Sequence, residues 1–141
     1  MKNERCFLIG IAPDTKWLYV VDCSSMEEYM TDGEHFRVLQ KMVDGHIEYV
    51  AAPEELQGRC HCYVNEEGLL KSLSLNIGAS LLLGQNIVGT LCIAKGDSPD
   101  TFFTKDEADR LAKEVADIIR KKIAGIPGII VGDDTEGEIK V

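Results

Sequence analysis

Thr-Lys-Asp-Glu-Ala-Asp-Arg-Leu-Ala-Lys-Glu-Val-Ala-Asp-Ile-Ile-Arg-Lys-Lys-Ile-Ala-Gly, residues 104–125, is the stretch on which the reading of this chain turns. Thr104 stands where a helix N-cap is wanted, and Glu107, three residues on, completes a capping box. Ala108, Leu111, Ala112, Val115, Ile118, Ile119 and Ile123 then fall on one face of a helix of about five turns. Asp109, Lys113, Asp117, Arg120 and Lys121 occupy the other face. Acidic residues come early and Lys121 and Lys122 late, which suits the helix dipole, and Gly125 with Pro127 ends the helix. A stripe of this kind is most simply the core face of a helix packed on a sheet. A homodimer seam is the alternative, because the stripe is long for so small a chain.

The preceding residues supply strands for that helix to cover. Residues 6–12 form an apolar run closed by the turn signal Pro13-Asp14, and residues 16–22 (Lys-Trp-Leu-Tyr-Val-Val-Asp) are rich in aromatic and β-branched side chains. Three residues separate the two, so a hairpin is expected. Ser24-Ser25 before Met26-Glu27-Glu28 offers a short helix start. Phe36, Leu39, Met42 and Val43 recur at helical spacing, predicting a helix over 33–43 with Asp32 at its front and Gly45 as the left-handed residue at its end. Residues 46–52 and 59–65 read as strands. The turn Asn65-Glu66-Glu67-Gly68 is expected to lead into a strand over 69–73, making a second hairpin. Residues 77–83 fit a strand or a buried loop. Residues 86–94 read as a strong strand, with Gly89 marking a bulge or a close approach.

The fold class that follows is α+β: an antiparallel or mixed sheet of about five strands with two main helices. Residues 1–125 are expected to form a single domain, and residues 126–141 a short apolar run with an acidic, flexible tail.

Composition narrows the functions open to such a domain. The 141 residues carry 24 Asp plus Glu against 15 Lys plus Arg, a formal charge of −9. Binders of nucleic acid and of anionic membranes draw affinity from Lys and Arg, so neither partner is expected. Solubility is the plain reading of the excess, and an acidic face that docks on a basic partner is the sharper one. The apolar run 7–12 is too short for a signal core or a membrane span. The five cysteines are odd in number and without CxxC spacing. Without an export signal, free thiols and a cytoplasmic location are expected.

No pattern of residues predicts catalysis, a metal or a cofactor. Cys60-His61-Cys62 draws the eye, but on a strand His61 faces away from its neighbours, so the three cannot close on one metal. Buried structural thiols are the simpler reading. His35 and His46 lack an orienting partner in sequence. Glu66 and Glu67 are neighbours in a turn and point apart into water. The glycines form no phosphate-binding loop.

Several segments match a known family in order. They are Val38-Leu39-Gln40-Lys41-Met42-Val43-Asp44-Gly45-His46-Ile47-Glu48, Val64-Asn65-Glu66-Glu67-Gly68-Leu69-Leu70-Lys71, Leu73-Ser74-Leu75-Asn76, Ile87-Val88-Gly89-Thr90 and Thr104-Lys105-Asp106-Glu107-Ala108. Across residues 6–116 the chain resembles the domain of unknown function 3846 family, whose members occur in phages and bacterial mobile elements. The resemblance implies that context and a fold, and no reaction. Leu75 and Ile77 stand where the family tends to carry a proline and an arginine. The polar residues Asn65, Glu66, Glu67 and Asn76 in the matched segments are the candidate binding residues. Gly89-Thr90-Leu91-Cys92-Ile93 with Phe103-Thr104-Lys105-Asp106-Glu107 is also similar to the end of a GAF domain, which implies a small-molecule sensor or ligand-sequestering module. The leading expectation is a non-enzymatic accessory protein, phage or mobile-element-like, that binds a basic host protein, and the GAF-like sensor is the alternative.

Overall fold

Five short apolar segments pair into one antiparallel sheet, buried on both faces at its centre, and this governs where everything else is placed. The computed structural model describes residues 4–13, 18–30, 35–96 and 100–126. Strands β1 (Phe7–Ile11), β2 (Leu18–Asp22), β3 (Ile47–Val50), β4 (His61–Asn65) and β5 (Leu91–Ala94) lie in the order β2-β1-β5-β4-β3, and every pairing is antiparallel. The α+β reading is borne out. The expected hairpin of β1 and β2 forms with Phe7 opposite Asp22 and Ile11 opposite Leu18. Its turn, from residue 14 to residue 17, lies outside the described residues, as do Asp32 and the tail from residue 127.

Side chains alternate across the sheet and build two cores. Ile9, Ile11, Cys62, Val64, Leu91 and Ile93 point to one face, where they meet α3 (Ile77–Leu83) and α4 (Lys105–Ala124). Leu8, Tyr63, Cys92 and Ala94 point to the other, against Val38, Leu39 and Val43 of α2 (His35–Val43), with α1 (Glu27–Met30) beside it. Gly10 has a steric reason: a Cβ there would sit 2.4 Å from the ring of Tyr19, its partner on β2.

Helix α4 follows the sequence closely. Thr104 Oγ1 accepts from the Glu107 amide at 3.2 Å, and Glu107 Oε1 accepts from the Thr104 amide at 2.9 Å, which completes the capping box. Ala108, Leu111, Val115 and Ile119 of the stripe are buried, with Ala116, and Ala112, Ile118 and Ile123 partly so. The stripe packs on the sheet and on α3. At the far end Lys122 Nζ donates to the carbonyl of Leu82, 2.8 Å away, tying the last turn of α4 to that of α3.

Three segments depart from expectation. Residues 77–83 are helical. Asn76 caps the helix by accepting from the Ala79 amide at 3.0 Å, and Gly84 ends it at φ 71°. The same carboxamide donates to the carbonyls of Ile11 at 2.7 Å and Gly89 at 2.8 Å, so a wholly buried side chain ties β1, α3 and the approach to β5. The strand over 86–94 is shorter than expected, because Gly89 takes φ 74° and the ladder begins at Leu91. The strand over 69–73 does not form. Both edges of β4 are occupied, by β3 and β5, and no third partner can pair there.

Two measurements test these roles. Asn76→Ala leaves one buried amide and two buried carbonyls unpartnered and is expected to lower unfolding stability in urea by roughly 3 kcal/mol. Asn76→Asp keeps the capping acceptor but lacks both donors, and it is also expected to destabilise. Glu107 concerns pH. Burial, the largest single influence, pushes its carboxyl up, but Lys95, the Thr104 amide and Arg5 together outweigh it and bring the pKa from 4.5 to about 2. A depressed carboxylate pKa contributes stability above the unfolded value that is lost as pH falls through the folded one. Glu107→Gln is therefore expected to flatten the fall in melting temperature between pH 4.5 and about 2. An unchanged slope would remove Glu107 from the account.

Candidate functional site

At the end of the sheet where β4 stops and β5 begins, the structure collects all four polar residues singled out in the sequence. Asn65 is the last residue of β4, opposite Ile47. Its amide nitrogen donates to the carbonyls of Val43 at 3.1 Å and Asp44 at 3.0 Å, and its oxygen accepts from the Glu67 amide at 2.8 Å. One buried carboxamide thus joins the end of α2 to the turn after β4. The left-handed residue closing α2 is Asp44, at φ 59°, rather than Gly45. Gly45 donates its amide back to Gln40 at 3.0 Å. It is glycine for clearance, since a Cβ there would stand 2.5 Å from Asn65 Nδ2.

Beyond Asn65 the chain winds through successive turns. The Glu66 amide donates to His46 (2.8 Å), Lys71 to Glu67 (2.9 Å), Ser72 to Leu69 (3.2 Å) and Leu73 to Gly68 (3.0 Å). Ser72 takes φ 55° to complete the reversal. Leu73 tucks against Gly89, where a Cβ would come within 2.8 Å of its Cδ1, and Leu75 bridges to Val88. Such winding satisfies the backbone locally and leaves side chains to face outward. Leu69 is 83% exposed, Leu70 84%, Leu75 52% and Ile77 47%, with Glu66 and Glu67 also in water.

The four candidates therefore divide. Asn65 and Asn76 use both amide hydrogens and an oxygen lone pair inside the fold, whereas Glu66 and Glu67 present carboxylates to solvent. Sequence reasoning passed over the leucines. The adjacent Leu69-Leu70 was the available signal: on a strand one of the pair must face outward, and in a turn both can.

The thiols and imidazoles are placed as strand alternation requires. Cys60 and Cys62 lie in the core beneath α3 and α4. The neighbouring Cys60 thiol and burial push Cys62 up. His61 turns to the other side, edge-on to the ring of Tyr49 at 5.6 Å. Burial raises Cys6 to about 11 and Cys23 to about 12, holding both as thiols. All five cysteines are free and buried. His35 packs edge-on against Phe102 at 4.9 Å and parallel to Tyr29. Among the described residues no three or more His, Cys, Asp or Glu side chains form a group that can hold a metal ion. Among them, too, no helix is long and apolar enough to cross a membrane.

Comparison with known proteins gives a family and a likeness to solved structures. No curated protein matches the chain. A crystal structure of the small RNA methyltransferase HEN1 is similar over 86% of this chain and 17% of that one, at 14% identity and a TM-score of 0.45. The family model described as Domain of unknown function (DUF3846) matches residues 13–116. It covers the hairpin partner β2, the Asn65 and Asn76 junctions, the exposed leucines and the start of α4, and the chain belongs to that family.

Proposed function

We propose that this chain is a non-enzymatic accessory protein of phage or mobile-element type that acts by binding a host protein. One observation carries the reading: Leu69, Leu70, Leu75 and Ile77 stand in water on one continuous stretch of chain, beside the carboxylates of Glu66 and Glu67. Fully burying a leucine is worth roughly 2 kcal/mol, so several exposed apolar side chains within one short segment, next to carboxylates, are read as a contact surface. The stretch is anchored at both ends by buried carboxamides, Asn65 and Asn76, so its presentation is pre-ordered and little entropy is lost on docking.

The partner this surface suits has an apolar socket rimmed by Lys or Arg. The leucines supply the anchor. Glu66 and Glu67, within a chain of net charge −9, supply steering toward a basic rim. The polar groups of Asn65 and Asn76 take no part in contact under this reading. They hold the loop that makes it.

The test is affinity capture from a host extract at low and high salt, using the full chain and the double variant Leu69→Asp/Leu70→Asp. The full chain is expected to enrich a partner, less at high salt. The double variant, with an unchanged melting temperature because neither side chain is buried, is expected to lose roughly 2 kcal/mol or more of affinity for that partner. Failure to enrich any protein under either salt condition, or undiminished capture by the variant, overturns the reading. A second copy of the chain as the sole captured partner would replace it with self-association.

A further inference from the structure

We propose that the groove between the C-terminal end of β5 and the first turns of α4 binds a small organic anion: a carboxylate or phosphate monoester carrying one planar or short apolar group. This is the opposite end of the sheet from the exposed leucines. His61 pairs with Ala94, and Phe7 bridges to Phe103, so the residues flanking those positions converge here. A cavity of about 210 Å3 is lined by Arg59, Lys95, Phe103, Glu107, Arg110 and Leu111.

The charge at this place opposes that of the chain as a whole. Arg5, Arg59, Lys95 and Arg110 gather against two carboxylates, Glu107 and Glu114. Four positive charges less two negative leave +2, in a molecule of net −9. The carboxylates fix the cations in position. Arg59 forks onto Glu114 with both terminal nitrogens, at 2.6 and 2.8 Å. Glu107 holds Lys95 at 2.7 Å through one oxygen, and Arg5 at 2.7 Å through the other. Arg110 stands exposed at the rim, where its charge adds to that of Arg59 in holding the Glu114 carboxyl below its usual range. The positive end of the twenty-residue α4 adds to the same field.

Beneath the charges the floor is apolar, formed by Phe103 and Leu111, both almost wholly buried. Positive rim and apolar floor together select an amphipathic anion rather than a bare one. The volume restricts its size, since drug-sized ligands occupy roughly 300 Å3 or more.

Amide-resolved NMR titration of the full chain tests the site, with phenyl phosphate, inorganic phosphate and benzyl alcohol as probes. Phenyl phosphate is expected to shift the amides of Phe103, Glu107, Arg110 and Leu111 saturably at millimolar concentration. Inorganic phosphate is expected to bind about tenfold more weakly, and uncharged benzyl alcohol more weakly still. Arg110→Glu should weaken phenyl phosphate by about tenfold. Lys121→Glu, the same change of charge in the last turn of α4, should leave binding nearly unaltered. Absence of saturable shifts, equal binding of inorganic phosphate, or an equal loss in the Lys121 variant overturns the proposal. The last result would mean that net charge alone attracts the probe.

Discussion

A single carboxamide, that of Asn76, holds together elements that the rest of the structure takes as given. Its oxygen starts α3, and its two hydrogens fasten the last carbonyl of β1 and the glycine that precedes β5. The side chain has no exposure to solvent, so each of these bonds forms in a medium where leaving it unmade is costly. With that junction closed, β5 can lie between β1 and β4, and α3 can lie beside α4. Asn65 does a comparable task for α2 and the turn after β4. Two asparagines therefore organise one whole end of the sheet.

How far the sequence discloses this depends on whether a feature is local. Helix α4 was legible because its cap, its stripe and its charge gradient all lie within one stretch. The β1–β2 hairpin was legible for the same reason. Helix α3 was missed because Ile77-Gly-Ala-Ser-Leu-Leu-Leu83 has almost no polar face from which to read a period. Its true signals were the flanking Asn76 and Gly84. The strand expected after Gly68 failed for a non-local reason, since both edges of β4 are filled by partners that sequence order does not reveal. Asn65 and Asn76 stood out as polar residues in matched segments, but their work inside the fold depends on carbonyls contributed from elsewhere in the chain. The cationic groove was wholly illegible, because Arg5, Arg59, Lys95 and Arg110 are brought together only by the sheet.

The sheet thus has two chemically different ends. At one, exposed leucines stand beside Glu66 and Glu67. At the other, four cations ring an apolar floor. The overall charge of −9 conceals this separation, which shows how little a net charge says about where a molecule is positive. The same antiparallel pairing that builds the core sorts the connecting segments, since each strand delivers its entry to one end and its exit to the other.

The position of β5 in the strand order has a temporal consequence. β1 pairs with β2, and β3 with β4, using residues close in sequence, but the strand that joins the two pairs is the last of the five to be synthesised. Before Leu91–Ala94 is added, the inner edges of β1 and β4 have no partner in this sheet. Closure then requires Ile9 to find Ile93 across most of the chain, the kind of distant pairing that slows folding. In a chain of this topology the insertion of β5 is the step that closes both edges at once.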